Sequence, residues 1–352
     1  MNKTKRITIY DLAKELGISG SYVSRALNDH PTTSEKMREM VKQKAKELNY
    51  KHNTSAANLR QGNSKIIGII VPKINETFFA NVIAGIEEIC SKYKYHIIIC
   101  QSEENLKKEK EAIDTLIKQN VDCIMISLSQ ETKTNAHLLD ILANKIHLIQ
   151  FDRVDESVES YIIKNDNKIA AFNGVEHLIK MGYERIAHIG GPVYLNIYAD
   201  RKQGYREALL KAKHTLFDDE IDNIALSRTD AKTIALKLLS KQDRPDAFFT
   251  SSDQAALGVI QAAKELNISI PKDLGVLGFQ DEEFSSFISP NLSSINQQSK
   301  QIGISAANLF FKTILKNKVK TTESSTEIIN CELMIRESSY RKIAKKFTKT
   351  PE

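Results

Sequence analysis

The first 50 residues carry apolar positions at the spacing of short amphipathic helices. One face of the first helix is formed by Ile9, Leu12, Ala13 and Leu16. Gly17 then ends this helix at a position that favours a residue with positive φ. By the same pattern a second helix runs from Ser19 to Leu27, and a third begins at Ser34. Three short helices joined through a glycine corner predict a helix-turn-helix unit.

From residue 66 onward, continuous apolar runs alternate with helical patterns. The predicted strands are Ile66–Val71, Ile97–Cys100, Cys123–Ser127, His147–Phe151, Arg185–Ile189, Ala247–Ser251 and Gly275–Phe279. Such alternation predicts βαβ units and parallel sheets that helices cover on both faces. The alternation restarts after residue 164, so we expect two lobes. Ligands bind beyond the carboxyl ends of parallel strands, which predicts a binding cleft between the lobes.

Charge divides the chain in the same way. Residues 1–65 hold 13 lysines and arginines against 6 acidic residues, whereas residues 66–340 carry a net charge of −5. The tail, residues 341–352, is basic again, with a net charge of +4. A basic segment ahead of a mildly acidic body indicates that the segment binds a polyanion. A solubilising arm or a membrane-surface segment is the alternative interpretation.

Several other classes of protein are disfavoured. The chain has no apolar run of the length that spans a membrane and no apolar leader at its start, so we expect it in the cytoplasm. Cys90, Cys100, Cys123 and Cys331 are not paired as C-x-x-C, which favours reduced thiols. The eight histidines lack metal-ligand spacing, and no phosphate-binding loop, dinucleotide-binding glycine pattern or nucleophile elbow occurs. We therefore expect no cofactor, no metal and no enzyme activity.

The second helix of a helix-turn-helix unit reads base edges in the major groove of DNA. The candidate DNA contacts in and around it are Thr8, Tyr10, Gly20, Ser21, Tyr22, Ser24, Arg25, Asn28, Lys36 and Arg38. Arg25 suits a bidentate contact with guanine, whereas Tyr10, Lys36 and Arg38 suit phosphates. A solvated charge at Arg25 and a packing role for Tyr10 are the alternatives.

The opening segment closely resembles the headpiece of the lac repressor (LacI/GalR) family. The matching blocks are T-I-Y-D-L-A-K-E-L-G-I-S at 8–19, E-L-N-Y at 47–50 and N-T-S-A-A-N-L-R at 53–60. In that family the last block is a hinge helix, which pairs with its twin in a dimer and inserts a leucine into the minor groove. The resemblance therefore adds Asn53, Ala56, Ala57 and Leu59 to the DNA contacts, with Leu59 as the wedge. A plain linker helix is the alternative.

The body resembles the periplasmic sugar-binding-protein fold that this family shares. The matching blocks include F-D-R at 151–153, A-D-R-x-x-G-Y at 199–205, S-D-Q-A-A-L-G at 252–258 and G-F-Q-D at 278–281. The resemblance implies these effector-binding residues: Glu76, Phe78, Phe79, Asp152, Arg153, Arg201, Asp253, Gln280 and Gln297. A helix-capping role for Asp253 and a structural ion pair between Asp152 and Arg153 are the alternatives.

Two departures from the family pattern concern the cleft itself. The family's usual Asn-Pro before the two aromatic residues is Glu76-Thr77 here, and Gln280 stands where the family usually has aspartate. The first change puts a carboxylate in place of a neutral amide. The effector therefore cannot be inferred from a relative.

The expected fold class is an all-α helix-turn-helix headpiece plus an α/β periplasmic-binding-protein-like body of two doubly wound parallel-sheet lobes. The expected boundaries are 1–52 for the headpiece, 53–64 for the hinge and linker, 65–163 plus 293–326 for the N-terminal lobe, 164–292 plus 327–341 for the C-terminal lobe, and 342–352 for the basic tail. The expected function is a sequence-specific transcriptional repressor that binds a palindromic operator on double-stranded DNA as a homodimer. A small molecule, a sugar or sugar derivative, would control it from the cleft. A tetramer stays open, and the basic head disfavours a transporter's solute-binding protein.

Overall fold

The computed structural model describes residues 7–50, 63–216, 227–316 and 324–341. The chain divides into two compact units, residues 1–64 and residues 65–352. The predicted hinge contacts Asn53, Ala56, Ala57 and Leu59 lie outside the described residues.

The first unit contains the three predicted helices: α1 (Ile9–Leu16), α2 (Gly20–Leu27) and α3 (Glu35–Glu47). Thr8 begins α1 with a capping box, in which its hydroxyl accepts from the Asp11 N–H and the Asp11 carboxylate accepts from the Thr8 N–H. Gly17 ends α1 with a φ of 64°, as its position predicts. The small core of this unit consists of Leu12, Ala13, Val23, Ala26, Val41 and Ala45. The predicted trihelical unit is confirmed.

The first lobe of the second unit is a six-stranded, all-parallel sheet. Its strands are β1 (Ile66–Val71), β2 (His96–Gln101), β3 (Cys123–Ile126), β4 (His147–Phe151), β5 (Tyr161–Asn165) and β10 (Ser325–Ile329), in the order β10-β5-β4-β3-β1-β2. Its helices are α4 (Thr77–Lys92), α5 (Leu106–Lys118), α6 (Ala136–Ala143) and α11 (Ser299–Asn308), which continues as a π-helix over Leu309–Leu315. Separate apolar clusters pack on the two faces of the sheet.

The second lobe is a five-stranded mixed sheet. Its strands are β6 (Ile186–Ile189), β7 (Ala247–Thr250), β8 (Gly275–Gln280), β9 (Ser293–Asn296) and β11 (Glu332–Met334), in the order β11-β9-β8-β7-β6. Its helices are α7 (Asn167–Lys180), α8 (Asn196–Lys211), α9 (Arg228–Leu239), α10 (Asp253–Glu265) and a 3-10 turn over Glu283–Ser286. Only β11 runs antiparallel to its neighbour, β9.

Pairing in the sheets corrects two of the predicted lobe boundaries. The prediction placed residues 293–326 in the first lobe, but β9 pairs with β8 of the second sheet. It also placed residues 327–341 in the second lobe, but β10 pairs with β5 of the first sheet as far as Ile329. A strand belongs to the sheet whose neighbour it hydrogen-bonds, and a local apolar pattern does not identify that neighbour.

The direction of β11 follows from the three crossings between the lobes. The chain crosses after β5, after β9 and after β10, so each of these strands ends at the crossing region. β11 instead begins there, because it follows β10 directly. It must therefore run away from the crossing region, antiparallel to β9.

Candidate functional site

Helix α2 presents one polar face to solvent. Ser19 caps the helix, its hydroxyl accepting from the Tyr22 N–H at 3.2 Å. Val23 and Ala26 bury the opposite face in the core of the first unit. Ser21 and Arg25 are consequently exposed.

Two aromatic rings border this exposed face. Tyr10 is 72% exposed, and a Cβ added at Gly20 would lie 3.5 Å from its ring, so the helix backbone and the ring are in contact. The Arg25 guanidinium carbon lies 5.6 Å from the centre of the Tyr22 ring. We call Tyr10, Gly20, Ser21, Tyr22 and Arg25 the reading surface. Tyr10 thus packs on α2 with one part of its ring, as the packing alternative expects, while most of its side chain faces solvent.

The remaining candidate DNA contacts have other local partners. Arg38 donates from Nε to the Thr33 hydroxyl and from Nη2 to the His30 carbonyl, both at 3.1 Å, and so braces the loop between α2 and α3. The Thr8 side chain is engaged in the capping box. Asn28 donates to the Ser24 carbonyl at 2.8 Å and ends α2, whereas Lys36 is exposed.

A cavity of about 430 Å³ lies between the two lobes of the second unit. Eight of the nine predicted effector residues line it: Glu76, Phe78, Phe79, Asp152, Arg153, Arg201, Gln280 and Gln297. The sequence prediction missed Lys73, Asn75, Thr77, Glu104, Gln130, Ile197, Tyr198, Ser227, Ser252, Gln254 and Glu282, which also line it. Several of these residues lie within a few positions of a predicted residue in the sequence. Their proximity to the predicted strand ends could therefore have identified them.

Asp253 is the predicted effector residue that does not line the cavity. Its carboxylate accepts from the Glu282 N–H at 2.7 Å and from the hydroxyls of Ser285 and Ser294 at 3.0 and 2.6 Å. The side chain is fully buried and holds the loop after β8 against the body of its lobe. It is also not the helix cap, because the Ser252 hydroxyl caps α10. The neighbouring Gln254 reaches the cavity instead.

Asp152 and Arg153 follow β4 and have different surroundings. Arg153 donates from Nη1 to both carboxylate oxygens of Glu104, at 2.9 and 2.8 Å. Its ion-pair partner is therefore Glu104, and the predicted alternative of an Asp152–Arg153 pair is wrong. Asp152 has a φ of 61° and is 4% exposed. Burial raises its pKa to about 6, although Arg153 and Arg201 act in the opposite direction.

Arg201 forms part of the buried floor of the cleft. It donates from Nε to the Asn167 side chain and from Nη1 to the Ser251 carbonyl, both at 2.9 Å. Its guanidinium carbon lies 3.7 Å from the centre of the Phe279 ring. The side chain is thus held on three sides, and burial lowers its pKa.

Two amide side chains connect the lobes beside the cavity. Asn196, at the start of α8, donates to the Asp152 carbonyl at 3.1 Å and accepts from the Val154 N–H at 3.2 Å. Asn165, at the end of β5, donates to the carbonyls of Gln297 and Ile329 at 3.0 and 2.8 Å. Asn165 therefore joins all three crossings, whereas Asn196 fixes the segment that carries Asp152 and Arg153.

The end of β8 is strained where it meets the cavity. Gln280 has a φ of 118°, a backbone conformation that residues other than glycine adopt only at a cost in free energy. Such strain is concentrated at ligand sites. Within the described ranges no cluster of side chains could hold a metal ion, and no helix could cross a membrane.

Comparison with known proteins gives two family matches. Residues 8–53 match the bacterial regulatory proteins of the lacI family, and residues 175–339 match the periplasmic binding protein-like domain. Residues 8–53 are therefore a lacI-family helix-turn-helix domain, and the body contains a periplasmic-binding-protein-like domain. The chain is a DNA-binding transcriptional repressor with a ligand-binding domain.

Relatives match this repressor along almost its whole length. It is 29% identical to Catabolite control protein A of Priestia megaterium over 317 residues, 90% of this chain and 95% of that protein. It is 29% identical to the Ribose operon repressor of Halalkalibacterium halodurans over 337 residues, 94% and 97% of the two chains. The structure of the lac repressor dimer bound to operator and the anti-inducer ONPF superposes with a TM-score of 0.82 at 23% identity, covering 95% and 99% of the two chains. The fold prediction is confirmed.

Proposed function

We propose that this lacI-family repressor binds a near-palindromic operator as a homodimer and that a sugar or sugar derivative in the cleft controls its DNA affinity. The observation that carries the proposal is the presence, in one chain, of an exposed reading surface on a capped α2 and a cavity of mixed polar and aromatic lining between the lobes of the body.

Operator recognition rests on the reading surface. Arg25 is exposed and has its guanidinium near Tyr22, so its fork of donors is free to meet guanine O6 and N7 in a major groove. The exposed Tyr10 and Lys36 suit contacts with the phosphates on either side. A homodimer is favoured because a two-fold pair of reading helices matches a palindrome and because a similar structure is a dimer on its operator.

Effector recognition rests on the mixture of groups in the cavity. Phe78 and Phe79 pack edge to face, with ring centres 5.1 Å apart, and offer an apolar wall to the face of a sugar ring. The amides of Gln280 and Gln297 and the carboxylate of Asp152 provide donors and acceptors for hydroxyl groups.

The two activities are linked through the equilibrium between body conformations. The effector can change operator affinity only to the extent that it binds one conformation better than another. Asn196 and Asn165 bridge the lobes in this structure, so a ligand that binds Asp152 and Gln297 would favour this arrangement of the lobes.

The operator proposal is tested with the full chain and a pool of randomised DNA duplexes at moderate ionic strength. We expect enrichment of one motif with two-fold symmetry, and a dimer mass for the free and bound protein by light scattering. A pool that stays random after several rounds would refute sequence-specific binding. A monomeric complex on a half-site would refute the homodimer.

The effector proposal is tested by thermal shift with a panel of sugars, followed by anisotropy of a labelled operator. A ligand of the native state raises the melting temperature according to its concentration relative to its Kd. We expect at least one sugar to raise the melting temperature and to change operator affinity. A sugar that binds without changing operator affinity would separate the cleft from the repressor activity.

A further inference from the structure

Three carboxylates converge on the part of the cavity next to the start of α4. Glu76 immediately precedes α4, Asp152 follows β4, and Glu282 follows β8 of the other lobe. Thr77 donates to Glu282 across the cleft at 3.3 Å, so closure of the lobes brings these groups together. Burial raises the pKa of Glu282, and the nearby Glu76 raises it further. Glu76 also raises the pKa of Asp152, so its charge is felt by both of the other carboxylates.

The cations that line the cavity are already engaged. Arg153 is paired with Glu104, and Arg201 donates to Asn167 and to the Ser251 carbonyl. Lys73 lies 3.6 Å from Glu76, at the rim, with 47% of its side chain exposed. The lining residues therefore carry four carboxylates against three cations, with the excess of negative charge next to α4.

Asp152 gives an independent indication of a ligand. It is 4% exposed and lines the cavity. Among the described residues no hydrogen bond to its carboxylate and no ion pair within 4 Å occurs, and its backbone is held in the left-handed region. A buried carboxylate without a donor is costly unless a partner arrives, so the cavity is built to receive a donor there.

We propose that the effector is a polyhydroxylated amine, an amino sugar or a close derivative, whose protonated amino group is bound by Glu76 and Glu282 while Asp152 accepts from a neighbouring hydroxyl. This inference rests on the proposed function, because it specifies the ligand of the same cleft. The ammonium group would join carboxylates of opposite lobes and so favour closure, which a neutral hydroxyl does less well.

The same arrangement discriminates against acidic ligands. A phosphate or carboxylate placed beside α4 would add a like charge to a partly desolvated acidic group. Sugar phosphates and sugar acids should therefore bind more weakly than the parent sugars.

The test uses the full chain and sugars that differ only at one nitrogen. Glucosamine, galactosamine and mannosamine are compared with the parent hexoses, with their N-acetyl derivatives, which keep the nitrogen but lose the charge, and with hexose 6-phosphates. Thermal shift and calorimetry give affinities, and anisotropy of the enriched operator gives the effect on DNA binding. We expect one aminohexose to bind at least about tenfold more tightly than its parent hexose and its N-acetyl form, as for a charge-assisted hydrogen bond.

Variants then assign the amino group to the carboxylates. Glu282→Gln and Glu76→Gln should each remove about tenfold or more of the preference for the aminohexose over its parent hexose. Glu283→Gln is the matched control, because Glu283 is exposed, adjacent and outside the cavity lining, and it should keep the wild-type preference.

The outcomes separate this inference from the function on which it rests. The inference is overturned if no aminohexose binds, if parent hexoses or hexose phosphates bind more tightly, or if Glu282→Gln and Glu76→Gln leave the preference unchanged. In each of these cases an enriched operator motif would still support the repressor. A pool without any motif would refute the proposed operator binding whatever the sugars do.

Discussion

At the scale of single residues, the cleft contains groups that cost the folded state free energy. Asp152 combines a left-handed backbone, near-complete burial and a pKa of about 6, compared with the ordinary 3.8. Gln280 adds backbone strain at the end of β8. Residues of this kind persist where binding requires them, so their replacement should separate stability from ligand binding.

Asp152→Asn should stabilise the protein at neutral and alkaline pH while weakening effector binding. Because the folded pKa exceeds the unfolded one, stability associated with Asp152 is present below about pH 4 and is lost as the pH rises through about 6. The variant has no such loss, and asparagine tolerates the same backbone. Its advantage in free energy of unfolding should grow across this window to at most about 3 kcal/mol. Urea unfolding at several pH values measures it, with Asp140→Asn on the exposed side of α6 as control. Equal stabilities at pH 8 would contradict the expectation.

Arg25→Ala should remove base discrimination without unfolding the first unit, because the side chain lies outside its core. Loss of a bidentate guanine contact costs about 1–3 kcal/mol at the matching base pair. Lys36→Ala, which removes an exposed charge from α3, should weaken binding similarly for all sequences. Competition between the operator and a scrambled duplex distinguishes the two. If Arg25→Ala lowers both affinities equally, Arg25 is a phosphate contact.

At the scale of elements, the first lobe depends on a close approach of α4 and α11. A Cβ added at Gly303 would lie 2.0 Å from the Val82 carbonyl oxygen, and one at Gly85 would lie 2.3 Å from the Lys300 carbonyl oxygen. Glycine on both helices therefore lets the two backbones touch. Because α4 begins beside Glu76 and carries Phe78 and Phe79, this contact also positions one wall of the cleft.

Gly303→Ala should separate α4 from α11 and destabilise the second unit. Overpacking of this kind costs about 1–3 kcal/mol. Because α4 carries the aromatic wall, sugar affinity should fall as well. Chemical denaturation and calorimetry measure the two effects, and Gln301→Ala on the exposed side of α11 should change neither appreciably. Wild-type stability in Gly303→Ala would mean that the helices move apart without cost.

At the scale of the whole second unit, the relation of the two lobes depends on the crossings. Asn165 donates to the carbonyls of Gln297 and Ile329 and accepts from the Gln297 side chain at 3.2 Å, and the two bonds with Gln297 are buried. A single amide therefore ties together three segments that are far apart in the sequence. Gln297 also lines the cavity, which connects this tie to the ligand.

Asn165→Ala should loosen the crossings and reduce the coupling between effector and operator. The substitution leaves the carbonyls of Gln297 and Ile329 and the side-chain amide of Gln297 without their partner. Each of these groups that is buried out of reach of water costs about 1–3 kcal/mol. A smaller closed population would also weaken the apparent effector affinity. The effector-induced change in operator affinity measures the coupling. Asn173→Ala, on the exposed face of α7, is the control, and an unchanged coupling in Asn165→Ala would show that the tie is only structural.

The sequence by itself determined what depends on near neighbours. The Thr8 capping box, the left-handed Gly17 and the apolar stripe of α1 all act within one helix and its turn, so the trihelical unit was predictable. Alternating runs predicted the parallel strands of both lobes, and the family resemblance at strand ends identified eight cleft residues. Strand ends converge in this fold whatever the side chains are, which is why that inference succeeded.

Only the tertiary structure decided what depends on residues distant in the chain. It paired β9 and β10 with their sheets, turned β11 antiparallel and gave Arg153 the partner Glu104. It pointed Asp253 into its own lobe, toward donors about 30 and 40 residues away, and brought Glu282 and Asn196 to the cleft. Hydrogen bonds and ion pairs have a range of a few ångströms, so their partners are fixed by where the folded backbone passes and not by local spacing.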